Sequence, residues 1–161
     1  MMKRICPMIG TIVLALLVST SIGFAQKDSS TSKEKSLYDR LGGVYAIATV
    51  VDDFVDRLIV NDILNANPAI KEARDRVPRA GLKYRVTEQV CMATGGPCTY
   101  TGRSMKETHK KLNITEQEWN ALVVDFKASL AKYHVPENEQ RQLLEIVGST
   151  KKDIVVLAPI K

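Results

Sequence analysis

From Leu37 to Val147 apolar residues recur every three or four positions, and nowhere does apolar–polar alternation persist for the length of a strand. Leu37 to Leu41 predicts one or two helical turns, stopped by Gly42-Gly43, residues with which a chain reverses sharply. A long amphipathic helix follows. Val44, Ile47, Val51, Phe54, Val55 and Leu58 lie on one face, with Asp52, Asp53, Asp56 and Arg57 opposite. Asn61 to Asn67 holds turn-forming residues, and Pro68 suits the first position of a short helix through Ala73. Pro78 opens another helix, carrying Leu82, Val86, Val90 and Ala93, which Thr94-Gly95-Gly96-Pro97 breaks. Cys98 to Gly102 reads as irregular, and Arg103 to Lys110 as one short helix holding His109. Thr115-Glu116-Gln117-Glu118 is a capping box, opening a helix that buries Trp119, Leu122, Val123, Phe126, Leu130 and Tyr133. Val135-Pro136 closes it and starts a last helix with Leu143, Leu144, Ile146 and Val147. The β-branched tail Ile154 to Leu157 can be read as a strand; with no partner strand in view, it is taken as the end of the last helix. The expectation is an all-α domain of six or seven helices over residues 37–157.

The first 36 residues do not share this pattern. A short basic start, Met1 to Arg4, precedes an uncharged stretch from Ile5 to Gln26 whose apolar centre is Ile9 to Val18. Small residues Gly23 and Ala25 fit a signal peptidase site, predicting a signal peptide over 1–25 cleaved near Ala25. The competing reading is a retained membrane anchor, because the uncharged run of roughly 20 residues can just span a bilayer. Polar Ser19, Thr20 and Ser21 before the cut favour cleavage, and hence a periplasmic or secreted protein without stable membrane insertion. Residues 26–36 are charged or polar throughout and read as a disordered linker.

Composition narrows the function. With 161 residues, 45% of them apolar and 25% charged, the chain can form one domain with a real core. The net charge of +5 is interleaved along the chain rather than clustered, which speaks against a nucleic-acid partner. Three Cys and no CxxC pair exclude a disulfide scaffold and a structural zinc of that type. Two His exclude any site built from several imidazoles. His134 ends a helix, where a cation meets the negative end of the dipole. His109, alone on a short helix after a glycine-rich segment, is either a surface residue or the single axial nitrogen that a haem iron needs.

Four separated motifs decide between these. Leu37-Tyr38-Asp39-Arg40-Leu41-Gly42-Gly43, Val50-Val51-Asp52-Asp53-Phe54, Ala93-Thr94-Gly95-Gly96-Pro97, and Tyr100-Thr101-Gly102-Arg103-Ser104-Met105-Lys106 up to His109 occur in the order found in the truncated haemoglobins of group I, which the chain resembles over about Leu37 to Val156. The resemblance implies a two-over-two helical sandwich around non-covalent haem b, with His109 as proximal iron ligand. It makes Phe54, Leu82, Val86, Met105, Leu112, Ile114 and Phe126 candidates to line the macrocycle, although spacing alone equally allows plain core packing, above all for Phe126. Arg103 and Lys106 become candidates to meet the propionates, with solvated surface charge as the alternative.

The chain also departs from that family. Where a Tyr usually follows the Phe of the second helix stands Val55, and the distal positions on the fifth helix are Leu82 and Val86. The Phe that props the haem has no match in the rebuilt stretch from Ile63 to Val77. The distal pocket is therefore expected to be apolar, with fast oxygen release, unless Tyr84 or Gln89 turns inward. Cys91 and Cys98 flank the Gly95-Gly96 turn and can bridge, adding about 2–3 kcal/mol, or remain a buried and an exposed thiol. The expected function is reversible binding of a diatomic gas (oxygen, carbon monoxide or nitric oxide), with an electron donor as a further partner. The alternatives are haem-dependent nitric oxide dioxygenation, peroxidase-like chemistry, or a haem-free helical interaction module.

Overall fold

Ser36 places its hydroxyl over the amide of Asp39 at 3.1 Å and so starts α1, Leu37–Arg40. A computed structural model describes residues 34–156, so the leader expected over 1–25 and most of the 26–36 linker lie outside the described residues. Gly42, at φ +91°, turns the chain from α1 into α2, Gly43–Val60, in a backbone conformation that costs other residues steric strain. Asn61 caps the one-turn α3, Asp62–Asn65, and Asn67 caps α4, Pro68–Arg76, with Pro68 at its first position. The sequence marked 61–67 only as turn-forming, and α4 runs three residues past the expected Ala73.

The remaining helices are α5 (Arg79–Ala93), α6 (Met105–His109), α7 (Glu116–Lys132), α8 (Glu137–Ser149) and α9 (Lys151–Ile154). The expected capping box forms at α7: Thr115 Oγ1 accepts from the Glu118 amide at 3.3 Å, and Glu118 accepts from the Thr115 amide at 2.7 Å. The tail corrects the expectation of a continuous last helix. After α9 the chain becomes extended, and the Val156 amide donates to the Ile114 carbonyl at 2.9 Å in a parallel bridge. Its partner is a single residue following the His109 helix, too short a signal to register as a strand.

The architecture is all-α, a two-over-two sandwich: α2 lies on α5 and on α7, and α7 packs on α8. Among the described residues no helix is long and apolar enough to cross a membrane. Apolar burial falls into three groups. Phe54 and Phe126, ring centroids 5.1 Å apart, form the first with Leu37, Leu130 and Leu143. The second joins α2 to α5 through Ile47, Val51, Val55 and Cys91. The third lies beside α6 and comprises Ile114, Trp119, Ile154 and Val155. Truncating Phe126 in such a core costs about 3–5 kcal/mol. Polar atoms join the layers as well: Ser129, fully buried, donates to Asp53 at 2.7 Å, linking α7 to α2.

Candidate functional site

The segment that delivers His109 is restrained at several points. Cys91 and Cys98 are joined by a disulfide that ties the end of α5 to the following loop. A Cβ on Gly96 would lie 2.4 Å from the Tyr38 ring, so only glycine allows α1 to close over this turn. Further along, the Tyr100 hydroxyl donates to the Arg103 carbonyl at 2.8 Å. Buried Glu88 on α5 accepts from Arg85 at 2.9 Å and from Thr101 at 3.2 Å, anchoring the loop to the helix. Burial pushes the Glu88 carboxyl up, but hydrogen bonds from Tyr84, Arg85 and Thr101 outweigh it and leave it below the usual range. A capping box then starts α6: the Ser104 hydroxyl accepts from the Glu107 amide, and Glu107 accepts from the Ser104 amide, each at 3.2 Å. Ser104-x-x-Glu107 has the same form as the box at α7 and was the overlooked signal for this helix start.

His109 is the last residue of α6 and is half-buried. Its Nδ1 lies 2.8 Å from the Met105 carbonyl, which can only accept, so the proton sits on Nδ1. In the neutral imidazole the lone pair is then on Nε2, which has no hydrogen-bond partner among the described residues. Burial lowers the pKa of the ring, and the Met105 carbonyl opposes that shift without overcoming it. A neutral imidazole oriented through Nδ1, with Nε2 unengaged, is the arrangement of a metal ligand. No group of three or more His, Cys, Asp or Glu that could hold a metal occurs among the described residues. A single imidazole nitrogen with its lone pair free fits an iron whose other ligands come with it, as in a porphyrin.

One apolar cluster lies beside this helix, and a second lies between α2 and α5. Met105, Leu112 and Ile114 gather in the group beside α6, with Met105 and Leu112 half-buried. Val55, Leu82 and Val86 meet in the group between α2 and α5, where Val55 is fully buried and the other two are half-buried. Helix α5 rests on α2 and packs extensively on neither α6 nor α7. Phe54 and Phe126 pack with each other in the first core group. Arg103 and Lys106 are exposed. Tyr84 is 59% exposed and bonded to Glu88, so it does not turn inward; Gln89 is half-buried. His134 lies past the end of α7 at φ +53° and is exposed.

Sequence reasoning also missed the contribution of the rebuilt stretch. Asn67 Nδ2 donates to the Leu112 carbonyl at 2.9 Å, and Ile70 on α4 packs against the cluster beside α6. No local pattern could announce a contact across 45 residues.

Comparison with known proteins bears on this geometry. The family model described as bacterial-like globin matches residues 36–156. The chain is similar to the group 1 truncated haemoglobin of Synechocystis sp., with 29% identity over 126 residues covering 74% of this chain and 97% of that one. It is 23% identical to the group 1 truncated haemoglobin of Tetrahymena pyriformis over 124 residues, 77% and 98% of the two chains. Among solved structures, the 2/2 haemoglobin of Synechococcus sp. in the cyanomet state with covalently attached haem superposes with a TM-score of 0.67 at 23% identity, covering 75% of this chain and 98% of that one. The Fe(III) form of the Tetrahymena pyriformis protein gives 0.63 at 23% identity, covering 76% and 100%.

Proposed function

The chain belongs to the bacterial-like globins, and from that premise we infer that it binds haem b through His109 Nε2 and takes up a diatomic gas there. The observation that carries the reading is the His109 ring itself: Nδ1 is committed to the Met105 carbonyl, burial favours the neutral form, and Nε2 is left to bind. The haem would supply iron with one coordination position for the gas. Met105, Leu112 and Ile114 would line the His109 side of the haem, and Val55, Leu82 and Val86 the gas side; both groups supply apolar surface. Arg103 and Lys106 are the cations available to the propionates.

None of Val55, Leu82 and Val86 can donate a hydrogen bond, and Tyr84 faces away. Oxygen, the most polarised of the three gases on iron, then finds no donor in these three residues or in Tyr84 and leaves quickly, while carbon monoxide and nitric oxide lose less. A carrier or sensor of such gases fits this pocket better than nitric oxide dioxygenation, which needs oxygen retained, or peroxidase chemistry, which needs an acid–base pair. Export belongs to the same reading: a leader removed near Ala25, a linker to residue 36 and a globin domain thereafter suit the Cys91–Cys98 bridge, because disulfides persist in oxidising compartments. The test is the absorption spectrum of the haem-loaded protein in ferric, ferrous and carbon-monoxide forms, together with the N-terminal sequence of the protein recovered from cells. A Soret band that shifts on adding carbon monoxide, and a start near Gln26, are expected. A chain that takes up no haem overturns the gas-binding reading, and an uncleaved Met1 overturns the export reading.

A further inference from the structure

The cations of the domain differ in their surroundings. On α1, α2, α5, α7 and α8 many are engaged: Arg40 with Glu139, Arg57 and Lys132 with Asp53, Lys83 with Asp52 and Asp56, Arg141 with Glu145. Around α6 they are not. Arg103, Lys106, Lys110 and Lys111 are all exposed, and none pairs with a carboxylate among the described residues. Between Arg103 and Thr115 the only acid is Glu107, whose carboxylate is held by the Ser104 amide and hydroxyl. Lys110 keeps helical dihedrals (φ −48°, ψ −33°), so it stands one turn from Lys106 on the same side of the helix. Helix α9, packed on α6, adds Lys152, exposed and also unpaired among the described residues. Four of these cations lie within the nine residues from Arg103 to Lys111, and the packing of α9 on α6 brings up the helix that carries Lys152 and the exposed Asp153.

Like charges one helical turn apart repel each other in the free protein, a cost that a carboxylate-bearing partner removes. The exposed residues between them, Ser104, Thr108, Asn113 and Thr115, are polar. They offer no aromatic platform for nucleic-acid bases and, apart from Val156, no large apolar anchor for a bilayer surface. We propose that the cationic face formed by Arg103, Lys106, Lys110, Lys111 and Lys152 is the docking surface for an acidic one-electron donor protein that reduces the haem iron. This rests on the haem reading above. One electron leaves the donor's reduced centre, which is oxidised, and takes the iron from ferric to ferrous; no atom or proton passes between the proteins. Rim charges of this kind act on the rate of encounter, by about 10- to 1,000-fold when the fields are complementary.

The probe is a plant-type [2Fe–2S] ferredoxin, an acidic one-electron donor, mixed with the ferric haem-loaded full chain in a stopped-flow instrument. The second-order rate constant is expected to fall at least about tenfold as salt rises from about 20 to about 300 mM. Lys110→Glu/Lys111→Glu lowers it about tenfold at low salt. Lys152→Glu, off the helix of His109, lowers it about threefold, and Lys127→Glu/Arg141→Glu on α7 and α8 leaves it within about twofold. Carbodiimide cross-links to the ferredoxin, mapped by mass spectrometry, concentrate at Lys110 and Lys111. Haem uptake is measured first on each protein: a chain without a Soret band refutes the haem reading, whereas haem-loaded protein indifferent to salt and to these substitutions refutes the docking surface alone. Equal losses in the two double variants, evenly spread cross-links, or tighter binding of this face to anionic phospholipid vesicles than to the ferredoxin would each overturn the proposal.

Discussion

Replacing Val86 by Gln tests the account of the gas pocket at one position. Val86 sits on α5 in contact with the cluster of Val55 and is half-buried, so a longer polar side chain can be housed without the overpacking that enlarging the fully buried Val55 would cause. The amide introduces a donor where Val55, Leu82 and Val86 supply none. A hydrogen bond to a charged partner contributes about 1.5–3 kcal/mol, and each ~1.4 kcal/mol is tenfold in an equilibrium or a rate. Oxygen dissociation from Val86→Gln should therefore be about 10- to 100-fold slower than from the wild-type protein. Carbon monoxide, carrying little charge when bound, should dissociate within about threefold of its wild-type rate. Stopped-flow displacement of oxygen by carbon monoxide, and of carbon monoxide by nitric oxide, gives both numbers on the same preparations. Unchanged oxygen release would mean that the position does not face the gas. Equal slowing of both gases would mean a steric barrier, and either outcome would refute the hydrogen-bond argument.

Three further outcomes follow from the structure. Cys98→Ser opens the bridge to Cys91 and should lower unfolding stability by about 2–3 kcal/mol, read from urea midpoints, with no free thiol titrating in the native wild-type domain over residues 34–156. Asp53→Ala removes the partner of the fully buried Ser129 hydroxyl together with those of Arg57 and Lys132, and should destabilise by about 2–3 kcal/mol. Adding Ser129→Ala to that variant should recover part of the loss; no recovery would place the cost elsewhere. Lys132 first, with Arg57 and Ser129 and against burial, holds the Asp53 carboxyl far below its ordinary range. Its stabilisation is thus complete above the unfolded carboxylate value and fades as pH falls below it, a dependence Asp53→Asn should flatten in acid unfolding. For His109, burial depresses the pKa from an ordinary 6.5. The haem-free fold should be stabilised by the neutral ring above that value and lose this contribution as pH falls below it, and His109→Gln should remove that slope. Urea unfolding at several pH values checks it.

What could be read from the chain was local or periodic. The faces of α2 and α7 follow from apolar spacing, except that Tyr133, expected to be buried, is exposed at the end of α7; the start of α7 follows from Thr115 and Glu118, because both signals are complete within a few residues. The single His109 and its apolar neighbours Met105, Leu112 and Ile114 were also visible, being close in sequence. Three features were not. Val155 and Val156 become extended because Ile114 offers a backbone partner, which only the fold supplies. Phe54 and Phe126 are apolar residues whose neighbours depend on how α2 crosses α7, and the crossing gives them to each other. Lys152 joins the cations of α6 only through the packing of α9 on that helix, a contact that no local pattern gives.

The measurement closest to the central claim is a haem titration of the wild-type chain beside His109→Gly, with and without added imidazole, followed in the ferrous carbon-monoxide form. Wild-type protein should take up one equivalent and show the Soret band of an imidazole-ligated iron. His109→Gly should lose that band and regain it when free imidazole enters the space left by the side chain. The same band in His109→Gly without imidazole would place the iron on another residue and contradict the account.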